Sequence, residues 1–458
     1  MTKSLSIAEA KPRNPSLPRP SRLAMAALMV SIALAILDTA IANTALPSIA
    51  RDLNAAPGPA IWVINAYQLA AVSTLLPFAA LGGAYGHRRV YVGGLVLFTV
   101  ASAGCALSGS LTELVIARVV QGVGASAIMS VNTALIATLY PKAALGRGLG
   151  LNALVVGVSF ALGPTIASVV LSMGSWPLLF AVNVPIGILA AAFSFYALPH
   201  SHDHSRKFDV PAAILTTIAF ASLIYGLCST SQGDPAIYPT LALAVFAISL
   251  LTLGYYERAS QSPMFPLDLL KRSQFSLSAL TGFCAFAAQG VAFVALPFHL
   301  EHAFGLSPEE TGFVLTPWSA VVAIMAPVAG RMSDRFAPGY LGLIGLACLA
   351  ISMLVIALIP APSSLILLAG CLIVAGFGFG LFQAPNQKAI MSSAPDQRSH
   401  GASGVVATAR LTGQATGAAI VALSFGITST YGPVLALSLG AAFALVGAFT
   451  SGVRLTVR

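Results

Sequence analysis

Three charged residues lie inside long apolar stretches of the sequence, where a charged side chain is unusual. Asp38 lies well inside the stretch that begins near Leu23, and Arg118 and Arg410 lie inside two later ones. If such a stretch crosses a lipid bilayer, a charge at its centre is expensive, so a carboxyl group there is driven to gain and lose a proton. We predict that Asp38 carries a proton or balances the charge of a cation. The alternative is a permanently protonated acid that joins two helices by a hydrogen bond.

Arg118 is the predicted electrostatic partner of Asp38. Gln121 follows Arg118 at i+3 and shares its helix face. A guanidinium that is released when the carboxylate takes up a proton would couple protonation to a structural change, and a fixed ion pair is the alternative. Arg410, with Gln414 at i+4, is predicted either to contact a substrate or to cap a cluster of carbonyl groups.

Other polar and aromatic residues of the apolar stretches are candidates for the lining of a substrate cavity. Packing in the core or anchoring at the lipid headgroups is the alternative for any single aromatic residue. The candidates for the lining are Asn43, Tyr67, Gln68, Gln121, Gln289, Phe293, Trp318, Arg410 and Gln414. His299 and Glu301 could bind protons, or could simply be solvated.

The composition indicates the environment of these residues. Hydrophobic residues make up 57% of the 458 positions and charged residues only 8%, whereas a soluble domain carries about 25% charged residues. Charge-free runs such as Val90 to Leu111 and Tyr340 to Gly370 are long enough to cross the hydrocarbon core of a bilayer. Because lipid cannot hydrogen-bond to the backbone, each run should be helical. The chain is predicted to be an all-α, polytopic membrane protein.

Fourteen transmembrane helices are predicted, with both termini in the cytoplasm. The helices are predicted at residues 22–48, 60–82, 90–109, 112–139, 147–172, 176–198, 209–230, 236–256, 275–300, 310–331, 339–359, 363–392, 402–427 and 430–452. All of the 23 Lys and Arg residues except Arg51, Arg118 and Arg410 fall at one set of alternate helix ends, as the positive-inside rule requires of cytoplasmic loops. This asymmetry explains the net charge of +9, so no nucleic-acid partner is needed to account for it. It also indicates that the protein lies in the cytoplasmic (inner) membrane.

A repeated motif divides the chain into two related halves. Leu81 to Arg89 and Ala329 to Phe336 are glycine-containing, basic turns that each follow a long predicted helix. The predicted domains are a cytoplasmic tail (1–21), a six-helix bundle (22–198), a linker with two additional helices (199–274) and a second six-helix bundle (275–458). The residues of these turns with a predicted conformational role are Gly86, Arg88, Arg89, Gly330, Asp334 and Arg335.

Four predicted helices contain motif-like segments. These segments are 37–47 in the first predicted helix, 118–125 in the fourth, Gly157 with 162–164 in the fifth, and Trp176, Phe180 and 183–187 at the start of the sixth. In these segments the chain resembles the drug:proton antiporters with fourteen spans of the major facilitator superfamily. One departure concerns the first basic turn, where the family has an Asp-Arg pair and this chain has Gly83 and Ala84. The pair is present only in the second turn, as Asp334 and Arg335.

The resemblance implies the function and the roles of several residues. It implies a monomeric, proton-coupled antiporter that exports small amphipathic molecules such as drugs, dyes and biocides by alternating access, with Asp38 and Arg118 coupling protons to transport. Gly157, Gly163 and Pro164 correspond to a motif associated with antiport, although tight helix packing would use the same residues.

Two other functions are considered. The first is export of an endogenous metabolite, an anionic compound or a siderophore. The second, a non-transporting receptor or scaffold, would need a soluble domain that the short predicted loops do not supply. Neither an ATP-binding GxxxxGK[ST] motif nor a hydrolase motif occurs, so no enzyme activity and no cofactor are predicted. His200, His202 and His204 lack a Cys or acidic cluster that would complete a metal site.

Overall fold

The computed structural model describes residues 19–140, 145–199, 208–229, 235, 237–257, 267–359, 364–393, 399–428 and 431–457. Within these residues the chain forms helices and no strands. The helices are α1 (Arg19–Asp52), α2 (Pro57–Ala60), α3 (Trp62–Tyr85), α4 (His87–Leu107), α5 (Leu111–Leu139), α6 (Leu145–Met173), α7 (Pro177–Ala181), α8 (Asn183–Ala197), α9 (Val210–Ser229), α10 (Ile237–Tyr256), α11 (Leu267–Leu270), α12 (Ser273–Ala303), α13 (Pro308–Met332), α14 (Pro338–Leu358), α15 (Leu365–Ser393), α16 (Ser399–Ile427) and α17 (Gly432–Val453).

The prediction of an all-helical membrane protein is confirmed. In the described part of the chain, 11 helical segments are long and apolar enough to cross a membrane, and 12 are if the two arms of α6 count as one span. Val210–Gly226 in α9 is a shorter apolar helix. Most of the predicted tail (1–21) and the histidines at 200, 202 and 204 lie outside the described residues.

Local sequence signals explain where helices begin and end. Gly86 separates α3 from α4 with φ 101°, a backbone conformation that glycine adopts at no steric cost. Ser110 caps α5 by accepting a hydrogen bond from the Glu113 N–H at 3.3 Å. Ser307 and Glu310 form a reciprocal capping box at the start of α13, which satisfies two backbone donors that a helix start leaves free.

Helices pack in corresponding ways in the two parts of the chain. In a membrane the hydrophobic effect does not drive helices together, because lipid tails are as apolar as the side chains. Small residues instead allow helix backbones to approach closely and pack. A Cβ added to Gly124 of α5 would lie 2.8 Å from the carbonyl oxygen of Gly94 in α4, and one added to Gly378 of α15 would lie 2.3 Å from that of Gly345 in α14. The same close glycine crossing therefore occurs in the helix pairs α4–α5 and α14–α15.

Helix α9 contacts helices that are far apart in the sequence. It packs on α10, on α3 and on α16. The Trp62 ring of α3 lies 6.3 Å from the Tyr225 ring of α9, centroid to centroid. Helix α9 thus covers the junction of α3 with α16.

Polar contacts join α1 and α6 to α12 and α13 at one end of the molecule. We call this end, which contains residues 52–57, 107–111 and 303–308, the distal end. Thr165 and Thr316 share a hydrogen bond of 2.7 Å between hydroxyl oxygens, and Arg51 pairs with the buried Glu301 at 3.4 Å. A Cβ on Gly312 would overlap the Ser168 hydroxyl. The distal end is therefore tightly closed in this conformation.

Candidate functional site

A buried cluster surrounds the carboxylate of Asp38. Arg118 of α5 donates from Nη1 to Oδ2 at 2.5 Å. Gln121 of α5 and Asn183 of α8 each donate a side-chain amide N–H to Oδ1 at 2.8 Å. All four side chains are at most 4% exposed. Helices α1, α5 and α8 thus bring one carboxylate, one guanidinium and two amides together in a buried position.

Further contacts also hold the Arg118 guanidinium. Its Nε donates to the Val63 carbonyl at 3.0 Å, and Nη1 also donates to the Gln121 Oε1 at 2.6 Å. Its guanidinium carbon lies 4.2 Å from the centroid of the Tyr67 ring, a cation–π contact. A buried ion pair is tolerable only when the remaining donors and acceptors are satisfied in this way.

A cavity lies beside this cluster, between α1, α3, α5 and α6 on one side and α12, α13, α15 and α16 on the other. Its free volume is about 50 Å³, room for only a few water molecules, so a larger ligand requires the walls to separate. The lining residues are Ala35, Ile36, Thr39, Tyr67, Met129, Val156, Gly157, Phe160, Phe286, Gln289, Trp318, Ser319, Val322, Phe379, Gln383, Arg410, Leu411 and Gln414.

Some of the residues predicted to line a cavity do so, and others do not. Tyr67, Gln289, Trp318, Arg410 and Gln414 line it, and the Gln414 amide donates to the Gln289 Oε1 at 3.2 Å between α16 and α12. The remaining four are buried elsewhere: Asn43, Gln68, Gln121 and Phe293. Of these, Gln121 binds Asp38, and Phe293 packs behind the lining.

The packing of Phe293 explains its position. Its ring lies edge-on to Phe160 at 5.0 Å and to Trp318 at 5.3 Å. Those two residues face the cavity, so Phe293 holds them from behind.

Four polar residues of the site were not among the predicted site residues. Asn183 reaches Asp38, and Thr39, Ser319 and Gln383 line the cavity. A polar side chain in an apolar segment is the signal that all four share in the sequence. Thr39 and Asn183 also lie in the motif segments 37–47 and 183–187.

Tyr67 connects the buried cluster to the cavity. One face of its ring carries the Arg118 guanidinium, its hydroxyl donates to the Ala35 carbonyl at 3.3 Å, and the side chain lines the cavity. A displacement of Arg118 would therefore move the Tyr67 ring and change the shape of the cavity wall.

Gly157, Gly163 and Pro164, the residues of the motif associated with antiport, lie in the middle of α6, where this helix meets α1 and the cavity. A Cβ on Gly163 would lie 2.3 Å from the Ala40 Cβ, whereas Gly157 faces open space at the cavity. Helix α6 bends by 42° between Phe160 and Leu162. Pro164 explains the bend, because its ring clashes with the carbonyl of residue i−4 and removes that hydrogen bond.

The two basic turns differ in their contacts. In the first turn Arg88 donates to the Phe195 carbonyl and lies 5.1 Å from the Phe195 ring centroid. In the second, Asp334 pairs with Lys388 of α15 at 2.5 Å. Gly330 has open space beside it. The side chains of Arg89 and Arg335 are exposed.

The two residues considered for proton binding lie near the distal end. Glu301 has a nearly buried side chain, 4% exposed, and faces Arg51. His299 is 5% exposed, with its ring 5.5 Å from that of Phe304. Neither is among the residues of the cavity wall.

Long apolar helices that enclose a central cavity define a multi-pass membrane transporter. The chain matches the Major Facilitator Superfamily over residues 28–418 and again over 278–455. It therefore belongs to this superfamily, whose members are transporters and not enzymes.

Similar proteins come from several bacteria. An uncharacterized transporter, YebQ, of Escherichia coli (strain K12) is 45% identical, with 96% of this chain and 97% of that one aligned. The riboflavin transporter RibZ of Clostridioides difficile (strain 630) is 31% identical over 88% of each chain. The multidrug resistance protein Stp of Mycobacterium tuberculosis (strain CDC 1551 / Oshkosh) is 29% identical over 88% of this chain and 75% of its own.

A solved structure has the same fold. The bacterial homologue of the human lysosomal transporter Spinster, in an inward-facing and unoccupied conformation, has a TM-score of 0.68 and 14% identity, with 96% of this chain and 98% of that one covered.

Proposed function

We propose that the chain is a proton-coupled antiporter that exports small amphipathic organic molecules across the cytoplasmic membrane by alternating access. The observation that carries the proposal is the buried cluster of Asp38, Arg118, Gln121 and Asn183 beside a central cavity. A carboxylate at this depth is tolerable while its partners hold it, and protonation would release them. Tyr67 would carry that release to the cavity wall.

The proposed architecture has fourteen spans. To the 11 segments that qualify by length and composition we add α6, α9 and α16. Residues 22–198 and 275–458 then form two bundles of six spans each, and α9 with α10 form the additional pair in 199–274. The positive-inside rule supports a cytoplasmic position for both termini. The closed distal end then faces outwards, so we propose that this conformation is the inward-facing one. In the other state of the cycle the cavity would open to the outside.

The proposed cycle follows from these positions. A proton that reaches Asp38 from outside would break its pairing with Arg118 and favour substrate release. Loss of the proton to the cytoplasm would restore the pair and allow reloading. Rocking of the two bundles about the site would change the side to which the cavity opens.

Export of an endogenous metabolite is the second candidate. The similarity to a riboflavin transporter and the aromatic walls of the cavity favour a planar compound of this kind. The multidrug resistance relatives favour foreign compounds. Growth of an overproducing strain on chemically diverse toxins separates the two, because only a drug exporter gives broad resistance.

Dye efflux from energised cells tests proton coupling. Cells that produce the chain are loaded with ethidium or with fluorescein, and efflux is followed with and without an uncoupler. We expect the uncoupler and Asp38→Asn each to reduce efflux to that of cells without the chain. Asp52→Asn, the same change at an exposed position of α1, should leave efflux unchanged.

Three outcomes would contradict the proposal. Efflux that persists with the uncoupler would reject proton coupling. Normal efflux by Asp38→Asn would remove this carboxylate from the mechanism. The absence of any efflux above background, for both dyes and in the toxin screen, would reject export.

A further inference from the structure

The cavity wall carries a positive charge without a protein counter-charge. Arg410 lines the cavity, and within the described residues it forms neither a salt bridge nor a hydrogen bond. None of the lining residues is acidic. A guanidinium stays charged in proteins, so a cavity of this kind favours a ligand that brings the missing negative charge.

The carboxylate of Asp38 does not supply that charge. It is 2% exposed, it is absent from the cavity lining, and Arg118, Gln121 and Asn183 donate to both of its oxygens. The ion pair of Asp38 with Arg118 is neutral as a unit. The net charge at the cavity is therefore that of Arg410.

Two buried donors on α13 also lack acceptors. Trp318 and Ser319 line the cavity and are 1% and 2% exposed. In the part of the chain that the structure describes, the indole Nε1 and the Ser319 hydroxyl have no hydrogen-bond partner. An indole N–H can only donate, and a buried donor without an acceptor is costly. A ligand with acceptor atoms would satisfy both groups.

The rest of the wall suits a flat ring system. Phe160, Phe286 and Phe379 line the cavity with Trp318, and the Phe286 and Phe379 rings meet edge-on at 5.6 Å. Aromatic faces and edges of this kind bind planar apolar ligands. The amides of Gln289, Gln383 and Gln414 add polar groups that fix orientation.

We propose that the transported substrate is a planar aromatic carboxylate. Its carboxylate pairs with the Arg410 guanidinium in the two-pronged geometry typical of this pair. Its other acceptor atoms bind Trp318 and Ser319, and its rings pack against the phenylalanines. This inference rests on the proposed export function, and it replaces the cationic drug that a lone acid in the membrane first suggests.

Everted membrane vesicles from producing cells test the inference with two dyes that each contain a planar fused-ring system. Fluorescein is an aromatic carboxylate, anionic at pH 7.5, and ethidium is a cation. The vesicles are energised, and dye accumulation in the lumen is measured. We expect at least tenfold more fluorescein than ethidium to be accumulated above the level of vesicles without the chain.

Variants of Arg410 test whether this residue causes the preference for fluorescein over ethidium. Arg410→Gln should lower fluorescein accumulation at least tenfold, and Arg410→Lys should retain part of it, because the charge remains and the fork geometry is lost. Arg22→Gln, the same change at an exposed position at the start of α1, should behave as the unchanged protein. Thermal unfolding of each purified variant identifies misfolding, and Arg410→Lys keeps the test valid if Arg410→Gln does not fold.

A binding measurement separates the two proposals. Anisotropy of fluorescein with the purified full-length protein reports binding without transport. If fluorescein binds in an Arg410-dependent way but neither dye is moved and the toxin screen is negative, the cavity is a binding site for an aromatic carboxylate and export is contradicted. Accumulation of ethidium without fluorescein, or fluorescein binding that Arg410→Gln leaves unchanged, overturns the inference while export stands. Failure of fluorescein both to bind and to accumulate overturns it as well.

Discussion

The buried ion pair of Asp38 with Arg118 is costly to disturb from one side. Both side chains are 1% exposed, so loss of either partner leaves an uncompensated charge away from water. Breaking a buried pair from one side costs about 3–5 kcal/mol, whereas removing both partners costs far less. The stability of variants therefore reports whether the two groups act as a unit.

We expect Asp38→Asn and Arg118→Gln each to destabilise the protein by about 3–5 kcal/mol. The double variant should recover most of that loss, because no unpaired charge remains. Thermal unfolding of the purified proteins in detergent measures stability, and all three variants should lack export. Asp52→Asn serves as the neutral control. Additive losses in the double variant would contradict a coupled pair.

Single residues show where prediction from the sequence succeeds and where it stops. The pairing of Asp38 with Arg118 is predictable because few charges lie in apolar helices and buried charges need partners. The depth of a residue along its helix limits the prediction for other residues. Asn43 follows the lining residues Ile36 and Thr39 at i+7 and i+4, so it shares their face of α1, but it lies a turn further towards the distal end and is not in the cavity wall. Asn183 reaches Asp38 only through the packing of α8 on α1, which spacing along the chain does not encode.

At the scale of helices, the crossing of α1 with α6 positions the site. Gly163 lets α6 approach Ala40, two residues from Asp38. Pro164 bends α6 near Phe160, which lines the cavity. One short segment of α6 thus determines both the distance to α1 and the shape of the cavity wall.

Gly163→Ala should destabilise the protein by about 1–3 kcal/mol, the usual cost of an overpacked core. The added methyl group would lie 2.3 Å from the Ala40 Cβ, so α1 and α6 must move apart and disturb Asp38. We expect lower export as well as lower thermal stability. Gly370→Ala in α15, where the new Cβ has nothing within 4 Å, is the matched control. Equal behaviour of the two variants would show that close approach at Gly163 has no importance.

Most helix positions agree with the prediction, because hydrophobicity and length are strong signals in a membrane. The count of fourteen spans stays a prediction, since 11 segments of the described chain, or 12 with α6, are long and apolar enough to cross a membrane. The errors are local. The second predicted helix begins at residue 60, whereas the structure forms a separate turn of helix, α2, at Pro57–Ala60, because prolines suit the first positions of a helix. The first predicted helix ends at residue 48, but α1 continues through Pro47 to Asp52. A proline inside a long packed helix bends it without ending it, and composition cannot distinguish the two cases.

At the scale of the whole molecule, the distribution of polar contacts defines the conformation. The hydrogen bond of Thr165 with Thr316 and the pair of Arg51 with Glu301 join the two proposed bundles at the distal end. Arg454 at the opposite end ties α17 to α12 and α15 through Ser278 and Asn386, within one proposed bundle. Burial lowers the pKa of Arg454 to about 10, which leaves it charged at neutral pH. The proposed rocking would break the distal contacts and leave the Arg454 contacts intact.

The charge moved in each cycle follows from the two proposals together. One proton in and one monovalent anion out carry two positive charges inwards, whereas exchange for a neutral molecule carries one and exchange for a monovalent cation carries none. Each charge gains about 2.3 kcal/mol per 100 mV of membrane potential. For an anion, 100 mV alone therefore supplies about 4.6 kcal/mol, enough for a concentration ratio of roughly a thousandfold.

Membrane potential alone should therefore drive the anionic dye. In everted vesicles with equal pH on both sides, valinomycin and external potassium make the lumen positive. We expect the chain to accumulate fluorescein under these conditions, and nigericin, which exchanges potassium for protons without moving net charge, should not replace valinomycin. Because this measurement depends on the charge of the cycle and not on any substitution, it tests the anion proposal independently of Arg410. Accumulation that responds to an imposed pH gradient but is indifferent to potential would mean that the cycle moves no net charge, as exchange of one proton for a monovalent cation requires.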